Sequence, residues 1–181
     1  YCAAGKIEGA FLTGKTWNIP ENSPLPSHQK VKRKISPLLA ILREQKEMKL
    51  KGSIYHRTQI DLTYNSNHIE GSRLTHDQTR YIFETNTIGI TDESVNVDDI
   101  IETTNHFRCI DLIIDRAEEK LTESLIKELH NILKSGTSDS RKDWFAVGDY
   151  KRLPNEVGGM ETCSPEDVHR QMKALLKEYN A

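Results

Sequence analysis

Apolar residues recur at three- and four-residue spacing along most of the chain, which is typical of helices with one buried face. The longest seam consists of Ile100, Thr103, Phe107, Ile110, Ile114 and Ala117. Asn96 precedes it as an N-cap, and Asp98 and Asp99 follow in the first turn, where the helix dipole favours negative charge. The pattern predicts a long helix that begins after Asn96.

Three more helices are predicted before this one. The first runs from Leu38 to Leu50 and ends near Gly52. The second begins at Ser53 as its cap, and its expected buried residues are Ile54, Ile60, Leu62, Tyr64 and Ile69. Thr75 with Gln78 three residues later is a capping box, which predicts a third helix to about Glu84.

Two further helices are predicted after it. The apolar stripe of the first is Leu125, Ile126, Leu129, Ile132 and Leu133. Burial of each such side chain contributes about 1.5–3 kcal/mol, so packing rather than propensity must hold this short helix. Ser164 and Pro165 start the last helix, whose stripe is Val168, Met172, Leu175, Leu176 and Tyr179.

Strand signals are confined to two short hairpins. The earlier one has arms at Ile7–Leu12 and Thr16–Ile19, joined through Gly14. In the later one, residues 145–162, we expect a turn at Pro154–Asn155, with arm residues Ala146, Val147, Tyr150, Val157 and Met160. The predicted fold class is all-α, a bundle of about six helices with one β-hairpin flap.

The earlier hairpin also matches the phosphate-loop pattern through Gly9, Gly14, Lys15 and Thr16. A phosphate loop needs a strand before it and a helix after it, and Pro20 would interrupt such a helix. The context therefore favours a tight hairpin turn in which Gly14 has positive φ.

Composition and charge argue against several classes of partner. The 181 residues have a formal charge of −2, which gives no overall attraction to nucleic acid or to an anionic membrane. Mean hydropathy is −0.63, and no apolar run approaches the ~20 residues of a membrane span. Three cysteines, Cys2, Cys109 and Cys163, have no metal-binding spacing, and an HExxH motif is absent. We therefore expect a cytoplasmic protein with no metal site and no membrane partner.

Residues 23–35 are expected to form a linker, because Pro24 and Pro26 favour extended backbone. The basic run from Lys30 to Lys34 is of a kind that contacts nucleic acid or directs nuclear import. Such runs more often form the solvated start of a helix, which is the interpretation we favour.

The stretch from Thr58 to Phe83 carries the most specific pattern. Ser66 and Glu70 are four residues apart and face the same way on a helix, which Gly71 is suited to close. Glu70 then lies in the last turn, where the helix dipole disfavours an anion by roughly 0.3–1 kcal/mol. It is either a solvated surface glutamate or a residue placed there for function.

Ser66 to Gly71 resembles the inhibitory motif of Fic-domain proteins, which is Ser or Thr, three residues, Glu, and Gly or Asn. Leu125–Leu133, Gly148–Lys151 and Val157–Gly159, followed by an amphipathic helix, resemble the front of the Fic core in order and spacing. The resemblance covers residues 36–181. It implies a Fic-like helix bundle with an inhibitory helix at 53–71 and a flap at 145–162.

The resemblance implies that the full-length protein moves AMP from ATP, with Mg²⁺, onto a hydroxyl side chain of a protein. The family signature HPFxxGNGR is absent, and the sequence ends at Ala181, before its expected place. No catalytic residue or metal ligand is therefore assigned here. The 181 residues alone are expected to be an inactive N-terminal part of the domain.

The resemblance also implies roles for residues of this chain. In the family, the glutamate of the motif pairs with a signature arginine that otherwise binds the γ-phosphate. Here that glutamate is Glu70, with Ser66 to orient it. The family's flap holds the target by strand addition, and the corresponding residues are Val147, Gly148, Asp149, Tyr150, Lys151, Val157, Gly158 and Gly159. A purely structural hairpin is the alternative.

Residues 1–22 resemble the end of a recognition helix plus the wing of a winged helix-turn-helix domain. DNA binding through the complete N-terminal domain is then possible, although Lys6 and Lys15 are a sparse basic set. The expected partners are an unknown target protein or the protein itself, and a homo-oligomer is possible. The alternative is a DNA-binding regulator or antitoxin-like module with a non-catalytic Fic-like domain.

Overall fold

A computed structural model describes residues 2–3, 7–23, 35–89 and 94–181. The chain divides into two units, Tyr1–Lys34 and Ile35–Ala181. Most of the predicted linker and the whole basic run Lys30–Lys34 lie outside the described residues.

The described part of the first unit contains one hairpin. Strands β1, Phe11–Thr13, and β2, Thr16–Asn18, pair antiparallel with Thr13 opposite Thr16. Gly14 has φ of 62° in the turn, as the sequence predicts, although the strands are shorter than expected. Because Thr16 lies in a strand rather than at the start of a helix, the phosphate-loop pattern has no phosphate-loop structure around it.

The second unit is built from helices, and the predicted all-α class is confirmed. In its described residues there are six α-helices: α1 Pro37–Met48, α2 Ile54–Ile69, α3 His76–Thr85, α4 Val97–Arg116, α5 Glu123–Lys134 and α6 Pro165–Tyr179. The predicted caps of α2, α3 and α4 form, since the side chains of Ser53, Thr75 and Asn96 each accept a hydrogen bond from the first turn. None of these helices is long and apolar enough to span a membrane.

The later hairpin differs from the prediction in its register. Its strands are β3, Glu156–Val157, and β4, Met160–Glu161, so the turn is Gly158–Gly159 and not Pro154–Asn155. Both glycines have positive φ, 58° and 78°, which a two-residue hairpin turn of type I′ requires. The expected first arm, Ala146 to Tyr150, is not a strand, because its backbone forms local turn bonds instead of a ladder: Val147 N donates to Phe145 O at 3.1 Å and Asp149 N to Ala146 O at 3.0 Å.

The hydrophobic core of the second unit lies among α1 to α4. One cluster has Tyr55, Ile110 and Ile114 at its centre, and the other has Leu74, Ile82 and Phe107. By contrast, α5 has no buried residue, and Leu176 is the one buried residue of α6. The predicted stripes of these two helices are therefore only partly covered by the described residues.

A polar seam joins α2 to α4. It consists of Gln59, Thr63 and Asn67, which repeat every four residues along α2 and are 0%, 0% and 8% exposed. Gln59 Nε2 donates to Asp111 Oδ1 at 2.8 Å and Asn67 Nδ2 to Thr103 Oγ1 at 2.9 Å. A buried polar group without a partner costs about 1–3 kcal/mol, so these pairings fix the rotation of α2 against α4.

A third bond of the seam joins Thr63 Oγ1 to His106 Nδ1 at 2.9 Å. Burial holds the pKa of His106 below its ordinary value. At the N-terminal end, Tyr55 donates to Asp111 Oδ1 at 2.8 Å. Burial, together with this carboxylate, raises the pKa of Tyr55 to about 12.

The seam explains why the prediction of buried residues in α2 is wrong for most of them. Ile60 is 4% exposed, but Ile54, Leu62 and Ile69 are 51%, 48% and 83% exposed. The face toward α4 is taken by the seam, so these three apolar side chains lie on the other side of the helix.

The seam predicts a large difference between two asparagines of α2. Replacing the buried Asn67 by Ala leaves the Thr103 hydroxyl without its donor and should lower the free energy of unfolding by about 1–3 kcal/mol. Replacing the exposed Asn65 should change it by less than about 0.5 kcal/mol. Urea denaturation of both variants measures the difference.

A double-mutant cycle with Thr103→Val is the control for direct coupling. The effects of Asn67→Ala and Thr103→Val should be less than additive, because both remove the same bond. Equal effects at Asn65 and Asn67 would contradict the seam.

Candidate functional site

The C-terminal end of α2 is closed by a Schellman motif. Gly71 N donates to His68 O at 3.1 Å, and Ser72 N donates to Asn67 O at 2.9 Å. Gly71 has φ of 96°, the left-handed conformation that this motif requires and that glycine adopts at low cost. The prediction that Gly71 closes this helix is confirmed.

Glu70 is the C-cap residue of α2, with φ −80° and ψ 2°. Its side chain is exposed, and within the described part of the chain its carboxylate forms no hydrogen bond or ion pair. Ser66 is half-buried one turn earlier, and its backbone oxygen accepts from Glu70 N at 3.3 Å. Glu70 is therefore held by its backbone while its charged group stays available to a partner.

The chain after the motif is tied to the start of α4. Arg73 N donates to Asp99 Oδ2 at 3.0 Å, and Ser72 Oγ accepts from Leu74 N at 3.3 Å. Leu74 is 4% exposed and belongs to the core. Since Asn67 of the seam also bonds to α4, the motif is fixed to this helix on both sides.

The histidines near the motif pack as aromatic side chains. The rings of Tyr64 and His68 stack with centroids 5.5 Å apart, and His76 lies edge-on to Tyr64 at 5.3 Å. His76 Nε2 is also 2.8 Å from Asp61 Oδ1. Among the described residues, no group of three or more His, Cys, Asp or Glu side chains could hold a metal ion.

Within the predicted flap, residues 145–162, the segment Gly148–Tyr150 follows one face of α5. Gly148 N donates to His130 Nδ1 at 3.2 Å, and burial keeps the pKa of His130 below its ordinary value, which suits a neutral acceptor. A Cβ on Gly148 would lie 2.8 Å from the Cβ of Asn131. This close approach is open only to glycine.

Asp149 and Tyr150 contact α5 about one and two turns before His130, toward the N-terminus of the helix. Lys127 Nζ lies 2.7 Å from Asp149 Oδ1 and 4.1 Å from the centroid of the Tyr150 ring. Tyr150 donates to Glu123 Oε2 at 2.9 Å. Burial and this carboxylate raise the pKa of Tyr150 to about 12. We call Gly148–Tyr150 with its α5 partners the flap root.

The hairpin beyond the root is exposed. Val157 and Met160 are 65% and 74% exposed. Lys151 Nζ bonds to Asn155 and to Thr162, which closes the base of the loop. The residues predicted to dock a target thus fall in two places: Gly148–Tyr150 lies at the root and Lys151 at the base of the loop, while Val157 belongs to β3 and Gly158–Gly159 form the hairpin turn.

No protein-family model matches the chain, and no curated protein matches it. Among solved structures, the chain is similar to a Fic domain-containing signaling protein from Bacteroides thetaiotaomicron VPI-5482, with 27% identity and a TM-score of 0.58. Over most of its length, the chain has the fold of a Fic domain. The match covers 78% of this chain and 55% of that protein, so the chain spans about half of its length.

Several residues of the flap root and its surroundings were not predicted as site residues from the sequence. Glu123, Lys127 and His130 form the α5 side of the flap root, and His169 of α6 lies 2.9 Å from Glu123 Oε2. Glu123, Lys127 and His130 recur at intervals of four and three residues, which places them on one helical face. This spacing is visible in the sequence, but polar residues on one face of a helix ordinarily indicate that the face is exposed to solvent.

The Schellman end of α2 predicts that Gly71→Ala destabilises the protein. A Cβ at this position meets nothing within 4 Å, so the cost is that of the left-handed backbone alone, about 1–2 kcal/mol. Gly71→Asn should cost less, because Asn tolerates this conformation better. Thermal or urea unfolding distinguishes the variants, and an Ala variant as stable as the wild type would contradict the prediction.

The flap root predicts that Gly148→Ala is more damaging than Gly158→Ala. Both glycines have positive φ, but a Cβ on Gly158 meets nothing within 4 Å. The Gly148 variant should lose about 1–3 kcal/mol more, because its Cβ must displace Asn131. Equal losses in denaturant unfolding would show that the root is not packed as described.

Proposed function

We propose that this chain is the front part of an auto-inhibited protein AMP-transferase of the Fic type. The full-length protein would move AMP from ATP onto a hydroxyl side chain of a target protein or of itself. Glu70 would hold this activity off from the end of α2. The proposal is supported by the Fic-type fold and by the match of Ser66–Gly71 to the family's inhibitory motif, with Gly71 closing α2 in a Schellman motif.

The proposed inhibition is electrostatic. An arginine of the family signature would pair with the Glu70 carboxylate through two parallel N–H···O bonds, which guanidinium and carboxylate geometry favours. The same arginine could not then receive a γ-phosphate, and the carboxylate would repel that phosphate. Because no described residue engages the Glu70 carboxylate, its charge is not neutralised before such an arginine arrives.

In this proposal, ATP and Mg²⁺ bind to the full-length protein. The family signature HPFxxGNGR, which the resemblance links to catalysis and to phosphate binding, is absent from this sequence, so the proposal assigns no chemical step to the described residues. What the chain supplies in this proposal is the inhibitory glutamate and the flap.

The proposal predicts that Glu70→Gly raises auto-modification of the full-length protein by about tenfold or more. That factor corresponds to about 1.4 kcal/mol, close to the lower end of the roughly 1.5–3 kcal/mol that one hydrogen bond to a charged group contributes. Glu70→Gln should act in the same direction, because it removes the charge and keeps the shape. Transfer of labelled AMP from ATP with Mg²⁺ measures all three proteins.

Glu47 provides the matched control, since it is an exposed glutamate of α1. Glu47→Gln should leave labelling unchanged. Equal labelling of the wild type and both Glu70 variants would contradict the inhibitory role. Absence of labelling in every variant, with salt-sensitive retention on DNA, would favour the DNA-binding alternative.

A further inference from the structure

One carboxylate, Glu123 in the first turn of α5, joins the flap root to α6. Tyr150 donates to Glu123 Oε2 at 2.9 Å, and His169 Nδ1 lies 2.9 Å from the same oxygen. The Glu123 side chain is 22% exposed. The flap root, α5 and α6 therefore meet at a single carboxylate oxygen of a half-buried side chain.

We propose that Glu123 is a positioning residue, which fixes the flap relative to the helix bundle through Tyr150 and His169. This inference rests on the proposed function, in which the flap docks the target protein. The inference adds that the hairpin, whose edge would dock the target, is oriented by Glu123, a side chain of α5 that lies outside the flap and does not contact the target.

The hairpin has little else to hold it in place. Its strands are two residues long, and an isolated two-stranded hairpin is marginally stable at best. Its apolar residues Val157 and Met160 are mostly exposed, so they contribute little packing. The position of the hairpin then depends on the polar contacts of the root.

The charges around Glu123 favour its ionised form. The hydrogen bond from Tyr150 holds the pKa of Glu123 below its ordinary value, with further contributions from His169 and Lys173. Asp149 is the other carboxylate of the root, and its bond to Lys127 lowers its pKa in turn. Hydrogen bonds to an ionised acceptor are roughly twice as strong as neutral ones.

A matched set of variants separates this role from general stability. Tyr150→Phe removes the hydroxyl that bonds Glu123 but keeps the ring beside Lys127. Glu123→Gln keeps an acceptor but removes the charge. Tyr179→Phe and Glu178→Gln are the controls, because both side chains are exposed on α6.

The measurement is the distance between two spin labels, one on the flap at Met160→Cys and one on α4 at Thr104→Cys, both exposed positions. Cys2 and Cys163 are replaced by Ser, while the buried Cys109 stays. Tyr150→Phe and Glu123→Gln should broaden the distance distribution about twofold, as expected for a segment released to local motion. Both controls should keep the wild-type distribution.

Unchanged distance distributions in Tyr150→Phe and Glu123→Gln would overturn the proposal, even if the unfolding midpoint fell. A fall in midpoint with no broadening means that Glu123 stabilises the fold without positioning the flap. Broadening confined to these two variants supports the positioning role.

A second readout uses AMP labelling of the full-length protein in the Glu70→Gly background. Auto-modification should fall about three- to tenfold in Tyr150→Phe and Glu123→Gln and stay unchanged in the controls. If neither the wild type nor any variant is labelled with AMP but the spin-label distances broaden, the proposed function is wrong and the positioning of the flap by Glu123 stands. If labelling is robust and equal in every variant, the role in docking is wrong.

Discussion

The buried polar seam between α2 and α4 is the constraint on which the rest of the second unit depends. Gln59, Thr63 and Asn67 lie where apolar residues would ordinarily pack, and each has a partner on α4. Apolar packing tolerates sliding and rotation, whereas a buried hydrogen bond is lost when its partners move by a fraction of a bond length. The seam therefore fixes the register of α2, and with it the position of the motif that follows Asn67.

The motif gains its fixed geometry from the backbone. Asn67 O accepts from Ser72 N, and Arg73 N donates to Asp99 on α4. These bonds turn the chain immediately after Glu70, so the glutamate stands at a defined helix end with its carboxylate in solvent. A charge placed there is unfavourable for the helix dipole, and the fold keeps it uncompensated by any described residue.

The flap is held by a second polar line, along α5. Gly148, Asp149 and Tyr150 bond to successive turns of that helix, and Tyr150 reaches the carboxylate that α6 also contacts. The two candidate functional segments are thus built alike. Each is a short stretch with few apolar contacts of its own, positioned by hydrogen bonds to a neighbouring helix.

Local signals determined which segments become helices. The caps Ser53, Thr75 and Asn96 and the left-handed Gly71 act within a few residues, so their roles follow from the sequence alone. The six helices and the all-α class follow from the same short-range rules and from apolar periodicity. The likeness between Ser66–Gly71 and an inhibitory motif also needs no coordinates.

Only the tertiary structure decided which helix faces are buried. Periodicity favoured Ile54, Leu62 and Ile69, but α4 offers hydroxyl, imidazole and carboxylate partners, and α2 turns its polar face to meet them. The same applies to residues 146–150, whose alternation suggested a strand. Their backbone instead forms local turn bonds, while Gly148 N and the side chains of Asp149 and Tyr150 contact α5. Pairings between residues distant in sequence depend on which element lies opposite, and a single helix or strand pattern does not contain that information.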